Sequence, residues 1–167
     1  MKLRLSGSGE NQFETAYNKY ADMMYRIALS HMNRREDAED VVHDAFIKYV
    51  QSSPAFSDDD HERAWLIRVT VNRCRDLLRR RSIRAYVNLD EIGEIPAEEP
   101  SYEGGGIIAS VSALPDKYRS VIILHYLEGY SVEKTASILG LSESAVKMRL
   151  SRGREMLKKT IEKEGAQ

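Results

Sequence analysis

"SVEKTASILGLSESAVKMRLSRGREMLKK" (residues 131–159) contains two helical patterns broken at Gly140, and the second is crowded with Lys and Arg. Ser131 is placed to cap a short helix through Leu139, Gly140 to end it in the left-handed conformation, and Ser142 to cap the next. The expected unit is a helix-turn-helix. On its second helix Val146, Leu150, Gly153, Leu157 and Ile161 recur as an inward stripe, and Ser144, Lys147, Ser151, Arg154 and Lys158 form another roughly 100° away. Small residues alternate with cations on that second stripe, which suits close approach to a duplex major groove. The competing reading is a solvated basic face on an ordinary helical hairpin.

Charge elsewhere favours the first reading. The formal net charge is −1, yet the signs are segregated. Residues 62–84 hold eight Arg against two acids, and residues 142–163 hold seven bases against three acids. Between them residues 85–105 carry six acids and no base, and residues 34–46 carry five acids against two bases. A polyanion is the expected partner of the two basic segments. The opposite signs also lead us to expect the free chain to fold back on itself, hiding one basic face against acid.

Outward from these segments the pattern is helical. Phe13, Ala16, Tyr17, Tyr20, Met24, Ile27 and Ala28 recur at spacings of three and four, and Ala38, Val41, Val42, Ala45, Phe46 and Tyr49 form a second apolar face after a turn near Asn33. "SSPAFSDDDH" (52–61) breaks the pattern and reads as a loop, with a third helix from about Glu62 to Ser82. "IGEIPAEEPSYEGGG" (92–106), with two Pro and a Gly triplet, has too little apolar surface to order its backbone and reads as a flexible acidic linker. Helical spacing resumes from Ile107, with Pro115 in the first turn of a new helix and Gly129 near its end. The predicted fold is all-α: two small helical domains, 11–84 and 107–163, joined by a linker over 85–106.

Composition sets the class. At 167 residues and 42% hydrophobic content the chain is globular. Neither a membrane span nor the apolar centre of a signal peptide is expected, and the expected location is the cytoplasm. Cys74, the single cysteine, reads as a small buried hydrophobe of a reducing compartment.

The third helix repeats the two-stripe logic with different side chains. Ala64, Ile67, Val71, Cys74 and Leu78 make its core stripe, while Trp65, Arg68, Asn72, Arg75 and Arg79 line a neighbouring face. A ring beside cations suits unstacked single strands, where bases stack on aromatics and Arg follows the backbone. The alternative is that Trp65 is core at a domain edge.

"REDAEDVVHDAFIKYV", "ERAWLIRVTVNRCRDLLRRR" and "LPDKYRSVIILHYLEGYSVEKTASILGLSESAVKMRLSRGRE" stand in that order, split by the linker. Together they resemble a bacterial extracytoplasmic-function (ECF) sigma factor of the sigma-70 family, over nearly the whole chain after about residue 11. The resemblance implies that the first domain holds core RNA polymerase and melts the minus-ten promoter element, while the second reads the minus-thirty-five element as duplex. It further implies that Glu39, Asp40, His43, Asp44 and Phe46 meet the polymerase. The loop 53–61 with Trp65, Arg68, Asn72 and Arg75 would capture non-template bases. Lys147, Met148, Arg149, Ser151, Arg152 and Arg154 would read the duplex, and Leu114, Tyr118, Val121 and Leu124 would pack within the second domain and dock on the polymerase flap. Two positions depart from the family pattern: Thr135 stands for an aliphatic residue and Gly153 for Ala, the latter expected to loosen the recognition helix.

The resemblance implies no chemistry by the chain itself, no cofactor and no metal. Its partners would be core polymerase, promoter DNA and an anti-sigma factor, with a monomer the simplest free state. Two rivals stand beside it. A stand-alone helix-turn-helix regulator explains residues 131–159 but leaves the Trp65 stripe and the acidic helix idle. A carboxylate metal-site enzyme draws on Glu36, Asp40, Asp44 and the Glu39–His43 pair, but His31, His61 and His125 match no ligand spacing.

Overall fold

The structure is a computed structural model that describes residues 7–52, 54–92 and 106–166. Every regular element among them is helical, as the periodicity predicts. The first half is α1 (Gly7–His31), α2 (Arg35–Ser52) and α3 (Asp59–Ile92). Their apolar faces meet in a core that buries Met24, Ile27, Met32, Val41, Leu66, Ile67 and Val71. Cys74 is buried there too, and burial pushes its thiol up to about 12, so it stays protonated and packs as a hydrophobe.

Both ends of α3 differ from expectation. It starts at Asp59 because the Asp run is helix-start chemistry as well as a loop signal: the Asp58 Oδ1 accepts the His61 amide at 2.7 Å, and Asp59, Asp60 and Glu62 occupy the first turn. It ends at Ile92, so helix extends into the stretch expected to be linker. The rest of that linker, residues 93–105, lies outside the described residues.

The second half is α4 (Ile107–Ser112), α5 (Asp116–Ile122), a π-helical turn (Ile123–Leu127), α6 (Val132–Leu139) and α7 (Glu143–Gly165). Pro115 is the N-cap of α5 rather than a residue of its first turn. The periodicity gives no hint of the π turn. Its wide ring is closed by the Glu128 amide donating to Ile123 O at 3.0 Å, and Gly129 then takes a φ of 75°, which reverses the chain into α6. Of the predicted inward stripe on α7, Val146, Leu150, Gly153 and Leu157 are buried, whereas Ile161 is 52% exposed. Ile161 borders an apolar cleft with Ile107, Ile122, Tyr126 and Leu127.

The two halves pack together. α1 lies against α4 and α5, and α3 lies against α6.

Candidate nucleic-acid interface

The helix-turn-helix forms as its caps require. Ser131 Oγ accepts the Lys134 amide at 3.0 Å, Gly140 ends α6 at φ 66°, and Ser142 Oγ accepts the Ala145 amide at 3.1 Å. With its inner face buried on α5, α7 presents Ser144, Lys147, Met148, Ser151 and Arg152 to solvent. The other predicted duplex residues are partly engaged within the protein. Arg149 Nη1 donates to Lys117 O at 3.4 Å, Arg154 Nη1 donates to Tyr126 Oη at 2.8 Å, and Lys158 pairs loosely with Glu162 at 3.9 Å. The unencumbered part of the stripe is therefore the N-terminal half of α7, the end that carries the positive helix dipole.

The ring-and-arginine stripe of α3 is built from two environments. Trp65 is half-buried, edge-on to Tyr49 and Phe56 with centroids 6.1 and 5.8 Å away. Tyr49 and Phe56 stack on each other at 6.0 Å, and the Tyr49 hydroxyl donates to Glu62. Burial, reinforced by that bond, raises the Tyr49 pKa and keeps it a donor. An open cleft of about 770 Å³ between the start of α1 and Pro54–Phe56 adjoins this ring cluster. Tyr49 is itself 4% exposed, core as its place on the apolar face of α2 predicts, and it backs the half-buried Trp65 ring.

Further along α3 the stripe meets the other half of the molecule. Arg68 Nε donates to Ile138 O at 3.1 Å. Arg68, Asn72 and Arg75 line a cleft of about 350 Å³ opposite Ser137, Leu139 and Gly140 of the helix-turn-helix. Arg79 lies beyond the cleft and pairs with Asp76 at 2.9 Å.

The acidic face of α2 places Glu39, Asp40 and His43 in solvent on the rim of a groove floored by Phe13, Tyr17, Ala21 and Val42. Two residues expected on that face are otherwise engaged. Phe46 is 3% exposed within a ring cluster with Phe13 and Tyr17, and Asp44 pairs with Arg73 at 2.8 Å. Leu114, Tyr118, Val121 and Leu124 are all buried, so they pack the second half and offer no docking surface themselves. Among the described residues no group of three or more His, Cys, Asp or Glu converges, and no helix is long and apolar enough to cross a membrane.

Sequence reasoning missed the seam between the halves. Glu128, held by the π turn, is 5% exposed; its Oε1 takes Arg26 Nη2 at 2.9 Å and its Oε2 takes Arg63 Nη2 at 3.3 Å. His31 is fully buried, with Nδ1 2.6 Å from Asp116 Oδ1 and Nε2 2.9 Å from Ser120 Oγ. No local signal marks these residues, because each partner lies tens of positions away.

The family model for sigma-70 region 2 matches residues 16–83, and that for sigma-70 region 4 matches residues 106–157. The ECF RNA polymerase sigma factor SigE of Mycolicibacterium smegmatis is 30% identical over 89% of this chain, which spans 61% of SigE. The RNA polymerase sigma factor CnrH of Cupriavidus metallidurans is 32% identical over 72% of this chain and 71% of its own length. The solved structure of CnrH with the cytosolic domain of CnrY superposes with a TM-score of 0.66 at 28% identity, covering 92% of this chain and 89% of CnrH. For RpoE in complex with the anti-sigma factor NepR from Bartonella quintana the TM-score is 0.71 at 24% identity, over 90% of this chain and 97% of that one, a likeness of fold.

Proposed function

The chain belongs to the sigma-70 family, with region 2 and region 4 in order, and on that premise we propose that it acts as an ECF RNA polymerase sigma factor, binding bacterial core polymerase and directing initiation at chosen promoters. The observation that carries this reading is the presence, in one chain, of a capped basic helix beside a ring-and-arginine stripe. Neither a duplex reader nor a single-strand binder alone needs both.

The work divides between them. Residues 107–163 supply register and salt-sensitive affinity through Lys147, Arg152 and the exposed small residues of α7, which let the helix sit deep in a major groove. Residues 11–84 trap unpaired bases against the Trp65 cluster while Arg68, Asn72 and Arg75 follow the backbone, which offsets an unstacking cost of a few kcal/mol per base. Glu39, Asp40 and His43, with the apolar groove behind them, form the polymerase contact, and residues 85–106 connect the two functions. The polymerase performs the chemistry; this chain supplies promoter choice, in the cytoplasm and as a monomer when free. An anti-sigma protein is the further partner, as the complex of the related CnrH with the cytosolic domain of CnrY suggests.

The test is reconstitution of purified chain and bacterial core polymerase on a genomic promoter library. Chain-dependent initiation at a defined subset of start sites is expected. Duplex binding without initiation would instead favour a stand-alone helix-turn-helix regulator.

A further inference from the structure

We propose that Met148 is a specificity-determining residue of α7: its thioether side chain reads the C5-methyl group of a thymine in the major groove, so that the duplex element chosen by this chain carries a thymine opposite the middle of the exposed helix face. The proposal rests on the reading of α7 as a duplex contact and names the base chemistry which that reading leaves open.

Met148 is 48% exposed, and its surroundings set it apart. Most of the other exposed large apolar side chains have apolar company: Tyr17 borders the groove between α1 and α2, and Ile107, Tyr126 and Ile161 border one cleft. Met148 instead stands in the polar face of α7, with Ser144, Lys147, Ser151 and Arg152 exposed around it. Neighbours on a helix surface lie three and four positions apart, which puts Ser144 and Ala145 on one side of Met148 and Ser151 and Arg152 on the other. Ser144, Ala145 and Ser151 are small, so the thioether projects past them as the most prominent apolar group of the face. Neither burial nor helix formation calls for it there. The inward stripe is Val146, Leu150, Gly153 and Leu157, and Lys, Gln or Arg would serve the helix as well as Met.

The charge around this side chain says what covers it. Lys147 and Arg152 flank it, and the capped, positive end of α7 precedes it, so the complementary partner is a polyanion. In the major groove of a duplex the base edges present donors, acceptors and one apolar group, the thymine methyl. Set against that methyl, Met148 removes apolar surface of both partners from water. Set against a cytosine amino group or a purine N7, it takes water from a polar atom and returns no hydrogen bond. The selection is therefore attractive toward thymine and repulsive toward the other bases. Met is unbranched and adapts its rotamer to the methyl, while cations that meet phosphates add affinity without any such preference.

The experiment selects randomised duplexes with the full chain, alone and bound to bacterial core polymerase. The affinity of the enriched duplex is then measured by fluorescence anisotropy as each thymine in turn is replaced by uracil, which lacks only the methyl. The parent is compared with Met148→Ser and Met148→Leu; the side chain is exposed, so both variants should keep the parent's helix content by circular dichroism. In the parent one thymine should stand out, its replacement weakening binding about fourfold, the loss expected for one buried carbon. Met148→Ser should bind the thymine and uracil duplexes equally, and Met148→Leu, which keeps an apolar group in place, should retain the preference. Lys147→Ala should weaken binding to both duplexes and leave their ratio unchanged. An enriched duplex indifferent to uracil at every position, or a methyl effect that survives in Met148→Ser, overturns the assignment and leaves α7 a duplex reader. A chain that enriches no duplex, alone or with core polymerase, overturns the assignment together with the reading beneath it.

Discussion

Thr135 and Gly153 stand out in the sequence against the pattern of the family it resembles, and the structure gives each a different meaning. Thr135 is fully buried at the heart of α6, and its Oγ1 has no hydrogen-bond partner. Thr135→Val removes an unsatisfied hydroxyl at nearly constant shape, so it should stabilise the chain by about 1 kcal/mol, read as a higher urea midpoint at unchanged slope. Gly153, read from sequence as a loosening of α7, is instead a point of close approach: a Cβ there would lie 3.0 Å from Ile122 Cδ1 and 3.1 Å from Cγ1. The helix-propensity gain of Gly153→Ala, about 1 kcal/mol, is therefore offset by overpacking of similar size, and the variant should be no more stable than the parent. In a double-mutant cycle Ile122→Val should cost less in the Gly153→Ala background than in the parent, with a coupling of about 0.5–1 kcal/mol. The departure at residue 153 was visible in sequence, but its cause lies in a side chain on another helix.

Elements fixed by their own residues were the legible ones. Ser131, Gly140 and Ser142 act on amides or dihedrals within a few positions, so the helix-turn-helix could be read to the residue. The Asp run before α3 was ambiguous because the same side chains favour a turn and a helix start, and the context on either side of Asp58 decided it. The seam was illegible for the opposite reason: Glu128 meets Arg26 and Arg63 across 102 and 65 residues, through a π turn with no sequence mark. The assignment of the two basic elements separates in mutation. Lys147→Ala on α7 should weaken duplex binding and lower its salt slope by about 1, as loss of one phosphate contact does. Trp65→Phe on α3 should keep the ring cluster with Tyr49 and Phe56, leave duplex binding intact and weaken single-strand capture by the polymerase complex. Equal loss of both activities would make Trp65 a structural residue only.

At the scale of the whole molecule the chain has two basic surfaces and a seam between its halves. Asp116 couples that seam to pH. The His31 hydrogen bond holds its carboxyl below the usual aspartate range against the opposing effect of burial, with further help from the charges of His31, Arg119 and Arg75. A carboxyl depressed in the folded chain contributes stability above its unfolded value, and that contribution is lost as pH falls through the lower, folded value. The urea midpoint should thus hold near neutrality and fall as pH drops below about 4, with the fall flattened in Asp116→Asn. The central claim is that one chain reads paired DNA and holds a separated strand at the same start site. Permanganate footprinting of a mapped promoter with core polymerase tests it most directly. Reactive, unpaired thymines upstream of the start should appear only when the chain is added and should fade in Arg68→Ala, while protection of the upstream duplex persists. A promoter that stays fully paired with chain and core polymerase both bound would contradict it.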